Sequence, residues 1–358
     1  MKRYCLAALV LCAAVAAQEA ESGFEIRSTW SVVAGYSHQL SLPPRSDGPD
    51  FEGTRLLLYP EWKLNSHWSF SGAVQVNTRP YFYEDFSTQG HGIRGDILRG
   101  HLTYSRIGER RSLVVRVGQM MSSFGSYLLR YDDAVNPLID APLSYGYYGR
   151  GVTSFGMMGA QVDASVARLD IRAQFTNSSP LNRRSIFDRD QYGTWSGGAG
   201  YTVKQGLRVG ISGFRGPYLH RQFPFFFPGE ARPKDLPATG LGLDAQWGHG
   251  PWNFYGELQR FQMDYRVIPN FKQNFGYAEA RRTLHPRWYV AVRAGYRRSP
   301  VLPPYEVYEF AAGFRPNRHQ LIKAGYEVQQ TRGPRPLTNR VYAVQLVTNL
   351  PTLSRSRN

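Results

Sequence analysis

The residues that could carry out covalent or metal chemistry are few and poorly spaced for it. The chain has eight histidines and two cysteines. No serine lies in a nucleophile-elbow motif, and no histidine belongs to a Glu-x-x-His pair or to a metal-spaced cluster. His101 falls on the polar face of a predicted strand, without a base or nucleophile beside it. We therefore expect no catalytic residue, no metal site and no cofactor, and a hydrolase is the less favoured alternative.

The chemistry that the sequence does offer is electrostatic, since the formal net charge is +16. Such a charge often indicates nucleic-acid binding. A basic segment at Met1–Arg3 followed by an apolar run from Tyr4 to Ala16 is, however, typical of a secretory signal peptide. We predict that residues 1–17 are a signal peptide containing both cysteines. The exported chain would then meet lipid phosphates and small anions, and no nucleic acid.

Apolar and polar residues alternate with period two along the chain, which predicts β-strands. These strands must position the charged side chains. In residues 168–176, Leu169 and Ile171 point to one face, while Asp170 and Arg172 point to the other. Similar segments, long enough for a tilted strand to cross a bilayer, recur along the chain. The predicted strands are 24–36, 54–64, 67–78, 97–106, 112–119, 156–166, 168–176, 193–203, 206–215, 239–248, 252–262, 272–282, 287–297, 306–315, 319–329 and 339–349.

The connections between these strands alternate between short turns and long loops, as they do in outer-membrane β-barrels. Tight turns such as Asn65-Ser66 and Lys204-Gln205-Gly206 are separated by loops rich in proline, glycine and charge. Tryptophans of the apolar face lie beside the short turns, which is typical of an interfacial aromatic girdle. They are Trp62, Trp68, Trp247, Trp252 and Trp288.

These patterns predict an all-β fold, a transmembrane antiparallel β-barrel of about sixteen strands with short periplasmic turns and long extracellular loops. The barrel is expected over residues 18–350 and a polar C-terminal tail over 351–358. A soluble β-sandwich or propeller is the alternative for short alternating strands. We expect the protein in the bacterial outer membrane, in contact with its lipid and lipopolysaccharide, and a homotrimer is one expected assembly.

A short motif resembles a known family. Val117-Gly118-Gln119-Met120 followed by Phe124-Gly125 resembles the strand-to-loop segment of the phosphate-selective porin family, and the strand count is similar over nearly the whole mature chain. The chain departs from the family in lacking a dense ladder of lysine and arginine, and in ending with residues 351–358 where a terminal aromatic is usual. The resemblance therefore implies a porin-like barrel without implying phosphate selectivity.

The longest connection, about residues 120–155, is the third long loop. In sixteen-strand porins the third loop folds into the lumen and narrows it, so the resemblance implies an inward fold here too. Asp132, Asp133 and Asp140 are then predicted to lie at the constriction.

Charges on the polar face predict what such a channel selects, because basic rings select anions and acidic rings select cations. The predicted pore-lining cations are Arg99, Arg116, Arg172, Arg293, Arg297 and Lys323. The acidic residues of the same face are Asp170, Asp244, Glu257, Glu309 and Glu327. We expect a weak anion bias, with Arg99 and Arg116 facing the loop aspartates across the pore. Ordinary cross-strand ion pairs are the alternative reading of these charges.

The expected function is passive diffusion of small hydrophilic solutes, with small anions among them. A barrel with an adhesion, assembly or structural role and no transport is the alternative. Pore width separates the two, since barrels of about sixteen strands usually leave an aqueous channel whereas eight-stranded barrels are filled by side chains.

Overall fold

A computed structural model describes the chain over residues 23–37, 50–79, 81, 92–145, 155–179, 193–218, 235–263, 271–333 and 336–356. The predicted signal peptide, residues 1–17, lies outside these ranges. Within them, no helix is long and apolar enough to cross a membrane. A short 3₁₀ turn at Tyr127–Arg130 interrupts the long loop.

The described residues form one closed sheet in which each strand pairs antiparallel with its neighbours in sequence and the last pairs with the first. The predicted sixteen-stranded antiparallel barrel is thus confirmed. The strands are β1 Gly23–Ser37, β2 Asp50–Lys63, β3 Trp68–Arg79, β4 Gly92–Ile107, β5 Arg111–Met120, β6 Met157–Val166, β7 Leu169–Thr176, β8 Thr194–Lys204, β9 Leu207–Pro217, β10 Pro237–His249, β11 Trp252–Met263, β12 Phe271–His285, β13 Trp288–Arg298, β14 Tyr305–Asn317, β15 Gln320–Thr331 and β16 Leu337–Ser356.

Burial alternates along the strands because successive side chains of a strand point to opposite faces of the sheet. In β13, Tyr289, Ala291 and Arg293 are buried, while Val290 and Val292 are exposed on the outer face. The apolar residues therefore face outward and many polar residues face inward, the reverse of a soluble β-sandwich. This inversion is what a barrel surrounded by lipid requires.

The two ends of the barrel differ. At one end, which we call the short-turn end, strands are joined by tight turns such as 205–206, where Gly206 has a φ of 81°. The five tryptophans predicted for the girdle are all exposed near this end, from 37% for Trp252 to 50% for Trp62. The opposite end carries the long connections and is called the long-loop end. The two ends of the barrel can therefore be told apart by the tryptophans at the short-turn end and the long connections at the other.

One local expectation needs correction. The polar tail expected at 351–358 is wrong for its described part, because β16 continues to Ser356 and pairs with β1, Gly23 lying opposite Ser356. Closure explains this, since the first residues of β1 would otherwise leave their backbone groups without a partner on that side. Pro60 lies within β2, but the pairing of β2 with β3 skips Tyr59 and Pro60, and the proline ring lies against Gly72, 2.9 Å from the position that a Cβ of Gly72 would take.

Candidate functional site

The long loop leaves β5 through two glycines of the motif noted in the sequence. Gly118 has a φ of 137°, and a Cβ there would lie 2.5 Å from the carbonyl oxygen of Gly100 on β4. Gly125 has a φ of 75°, and a Cβ there would collide with the hydroxyl of Tyr145. Only glycine combines this backbone conformation with such close approaches. The glycines of the motif therefore bend the chain into the loop.

Beyond these glycines the loop follows the inner wall. The hydroxyls of Ser123 and Ser196 on β8 are 2.8 Å apart, and Ser126 donates a hydrogen bond of 2.7 Å to Glu257 on β11. Tyr277 on β12 donates to the same Glu257 oxygen at 2.8 Å. The first half of the loop is thus fastened to β8 and β11, and Tyr277 of β12 holds the Glu257 carboxylate in place.

The second half of the loop reaches the other side of the barrel. Arg130 donates to Glu279 on β12 at 2.6 Å, and two residues later Asp132 accepts a 2.5 Å hydrogen bond from Tyr59 on β2. Strands β8, β12 and β2 lie far apart around the closed ring. A segment bound to all of them must cross the barrel interior. The loop therefore narrows the interior from within.

Asp133 is the most completely enclosed charge in the described part of the loop. Its carboxylate accepts hydrogen bonds from Nε of Arg55 on β2 at 3.0 Å and from Nη2 of the same guanidinium, from Tyr81 at 2.8 Å, and from Ser31 on β1. Arg55 and Asp133 are both 0% exposed. Burial acts to raise the pKa of Asp133, but Arg55 and Lys323 outweigh it and hold the pKa below its usual range. The carboxylate is therefore ionised and paired.

Lys323 on β15 fixes the next turn of the loop. Its ammonium donates to the carbonyl oxygens of Asp133, Asn136 and Leu138 at 2.7, 2.8 and 3.0 Å, and the residue is 0% exposed. An ammonium has three donors. All three are used on the loop backbone, so this lysine is a structural anchor.

Arg293 on β13 holds the loop at a third point. It donates two hydrogen bonds of 2.6 Å to Glu309 on β14 and a third of 2.6 Å to the carbonyl oxygen of Asp140. Its Nη1 lies 3.3 Å from Glu279, which also binds Arg130. Buried ions of opposite sign thus alternate from the loop to the wall, which is how a protein interior accommodates several charges.

Tyr145 closes the described part of the loop. Its hydroxyl donates to Glu257 at 2.5 Å and accepts from Gln259 at 3.0 Å, both on β11. Burial and the adjacent Glu257 carboxylate raise the pKa of Tyr145 well above its usual range. The phenol therefore stays protonated and remains a hydrogen-bond donor.

The predicted pore residues separate into two groups. The buried members, which are locked against the loop or the wall, are Arg293, Arg297, Lys323, Asp133 and Asp140. The members that keep some exposure inside the barrel are Arg99, Arg116, Arg172 and Asp132. Arg116 is paired with Asp163 on β6, and Asp132 and Asp133 are bound by groups of β1 and β2. Arg116 is therefore paired on its own side of the barrel rather than with a loop aspartate, and Arg99 has no ion pair with a described aspartate.

Sequence reasoning missed two wall residues that bind the loop, Arg55 and Glu279. Arg55 alternates with Leu57 and Tyr59 along the inward side of β2, so the pattern does predict that its side chain points into the barrel. Its role was not readable, because Asp133 lies 78 residues away in sequence. Sequence reasoning also missed that inward residues near the long-loop end of β9–β14 form an apolar cluster. That cluster includes Phe214, Phe261, Phe275 and Val307, and Phe124 of the loop packs against it.

The interior between the loop and the short-turn end is polar and mostly paired. Arg208 binds Asp170 at 2.6 Å and Asp244 at 2.8 Å, and Arg27 lies 3.4 Å from Glu25. Other cations of this inner surface have no carboxylate within ion-pair distance among the residues that the structure describes. These four, which we call the basic vestibule, are Arg99, Arg172, Arg281 and Arg315. The vestibule therefore holds four cations that are outside any contact ion pair with a described carboxylate.

Comparison with known proteins bears on the fold. Neither a protein-family model nor a curated protein matches the chain, so the resemblance to the phosphate-selective porins stays a prediction. OprB of Pseudomonas putida is 11% identical with a TM-score of 0.66, over 92% of this chain and 94% of that one. An anion-selective porin from Comamonas acidovorans is 11% identical with a TM-score of 0.59, over 92% and 100%.

A third similar structure is the outer membrane channel DcaP of Acinetobacter baumannii. It is 10% identical with a TM-score of 0.59, over 92% of this chain and 98% of that one. Each likeness spans almost the whole of both chains at very low identity. The chain thus has the porin fold, a closed antiparallel barrel of sixteen strands.

Proposed function

We propose that the chain is a porin-like channel of the bacterial outer membrane, through which small hydrophilic solutes diffuse passively with a preference for anions. The observation that supports this most is the basic vestibule, four inward-facing cations without an acidic partner among the described residues. A barrel of this strand number usually leaves an aqueous channel. Basic side chains along such a channel favour anions.

The solute path runs beside the loop, along the wall of β5–β7. There the side chains of Arg116 and Asp163 are 30% and 29% exposed. The loop anchors elsewhere on the wall, such as Lys323 and Arg55, are fully buried. Charged side chains are thus more exposed on the wall of β5–β7 than at these two anchors. The path is narrow because the loop crosses the interior.

Liposome swelling with uncharged sugars of increasing size tests the open path. Liposomes containing the folded protein should swell in small sugars and stop swelling above a size limit, while empty liposomes should not respond. Swelling equal to that of empty liposomes for every sugar would contradict the channel.

One observation favours a barrel with an adhesion, assembly or structural role instead. The apolar cluster around Phe124 and Phe261 fills part of the interior between β9 and β14. The swelling assay separates the two functions, because only a channel admits sugars. The proposal includes no catalytic activity.

Export by the N-terminal signal peptide, contact with outer-membrane lipid and a homotrimeric assembly complete this proposal. Analytical ultracentrifugation in detergent tests the assembly. A single species of monomer mass would contradict the trimer without affecting the channel.

A further inference from the structure

Outward-facing cations collect on one side of the long-loop end. On β11, the outward positions run from apolar Phe254 and Leu258 to Arg260 and Gln262. On β12 the corresponding outward residues are Lys272 and Asn274. These side chains stand on the surface that faces lipid over the rest of both strands, so they need a polar environment at this height.

Strand register brings three of these cations together. Gln262 pairs with Lys272, so Arg260 is the diagonal neighbour of Lys272 across β11 and β12. Asn274 pairs with Arg298, so Arg298 is the diagonal neighbour of Lys272 across β12 and β13. Diagonal neighbours on one face of a sheet lie about 7–8 Å apart. Arg260, Lys272 and Arg298 therefore surround Asn274, and we call them the rim triad.

The rim triad carries an excess of positive charge. Arg298 is bound to Glu306 on β14, which also binds Arg332 at 2.8 Å. Arg260 and Lys272 have no hydrogen bond or ion pair with any residue that the structure describes. Arg260 and Lys272 are diagonal neighbours of like charge, so they repel each other. An anion between them would remove this repulsion.

The height of the triad matches a membrane surface. Trp288 and Arg298 are ten residues apart on β13, which is about 33 Å along a strand and roughly 25 Å along the barrel axis at the usual tilt. The apolar band of such barrels is also about 25 Å tall. With Trp288 at one surface of the bilayer, Arg298 lies at the other, and Arg260 reaches the same level by extending its long side chain.

We propose that Arg260, Lys272 and Arg298, with the Asn274 amide between them, bind a phosphate group of a lipid in the outer leaflet. Arginine forks and lysine ammonium groups are the usual phosphate ligands, and cations at this height attract anionic headgroups. A lipid, unlike free phosphate, also covers the apolar surface below the triad at Leu258 and Ala278. The site rests on the proposed outer-membrane location, but it does not depend on channel activity.

The test measures lipid binding to the full chain folded in detergent by native mass spectrometry, with diphosphoryl lipid A and its dephosphorylated form as probes. The unaltered protein should bind the dephosphorylated lipid about thirtyfold more weakly. The double variant Arg260→Gln/Lys272→Gln should lose about thirtyfold in affinity for lipid A, about fivefold for each cation. The exchange variant Arg260→Lys/Lys272→Arg should retain binding.

The matched control is Arg106→Gln/Arg111→Gln, which removes the same charge from the outer surface at the short-turn end and should bind like the unaltered protein. Equal affinity for the two lipids, or an equal loss in the control, would overturn the site. Displacement of lipid A by millimolar inorganic phosphate would show that the site binds free phosphate and would overturn a lipid as the ligand. The comparison of lipids uses the unaltered protein, so it stands even if a variant fails to fold. Lipid binding without swelling activity would reject only the channel.

Discussion

Asp133 of the long loop and Arg55 of β2 form an ion pair in which both side chains are fully buried inside the barrel. The pair joins a residue of the loop to the wall at a point 78 residues earlier in the chain. Lys323 binds the backbone of the same loop from β15, the second strand from β1 around the closed ring. The position of the loop across the interior therefore depends on buried charge more than on local turn geometry.

Substitution of Asp133 by Asn tests this dependence. Breaking a buried ion pair by removing one charge costs about 3–5 kcal/mol, because the other charge is left without compensation. We expect Asp133→Asn to lower the free energy of unfolding by this amount and to enlarge the single-channel conductance as the loop loosens. The control is Asp163→Asn, whose partner Arg116 is partly exposed, with an expected cost of about 0–1 kcal/mol. Equal costs for the two variants would contradict the anchoring role of Asp133.

The same carboxylate predicts the response to acid. Its pKa in the folded protein is lowered from the ordinary value of 3.8, so the stabilisation that it provides is complete above that value and is lost as the pH falls through the lower, folded pKa. The rise in conductance that comes from protonation of Asp133 should therefore begin only below that value. In Asp133→Asn the rise attributed to this group should be absent. A rise in the unaltered protein already at pH ~5 would indicate another titrating group.

Lys323→Met removes the ammonium while keeping a side chain of similar length. Three loop carbonyls lose their donor, and we expect a destabilisation of about 2 kcal/mol or more, with larger and noisier conductance steps. Lys204→Met is the control, since Lys204 is exposed at the end of β8. Urea unfolding and planar-bilayer recordings check both variants. Steps unchanged from those of the unaltered protein would show that the loop does not need this anchor.

The basic vestibule predicts how ion selectivity changes. Arg172→Gln/Arg281→Gln removes two unpaired cations, so the reversal potential in a salt gradient should move towards cation preference. Arg116→Ala should move it in the same direction, because Asp163 then loses its partner. The control Arg106→Gln/Arg111→Gln changes charges on the outer surface only and should leave the potential unchanged. If the control moves the potential as far as the vestibule variants do, the selectivity does not arise in the vestibule.

The architecture was readable from the sequence because each strand has one face in lipid and one in the interior. The predicted strand 168–176 and the observed Leu169–Thr176 differ by one residue. The end of β16 was misread, because Pro351 and the polar residues after it look like a tail, and only pairing with β1 reveals them as strand.

The interior was harder to predict, because alternation tells which side chains point inward but not what they meet there. Lys323 and Arg293 were expected to line an open pore, yet both are buried against the loop. The inward positions of Phe261 and Phe275 form an apolar cluster that a polar lumen would not contain. Such contacts depend on how a long loop is packed, and that packing has no period in the sequence.

Reconstitution of the purified protein in a planar bilayer with a potassium chloride gradient tests the central claim most directly. The account predicts discrete conductance steps and a reversal potential of the sign expected for chloride selectivity. The magnitude of this potential should be smaller in Arg172→Gln/Arg281→Gln. A bilayer that takes up the folded protein without conductance steps would contradict the channel, and a reversal potential on the potassium side would contradict the role of the basic vestibule.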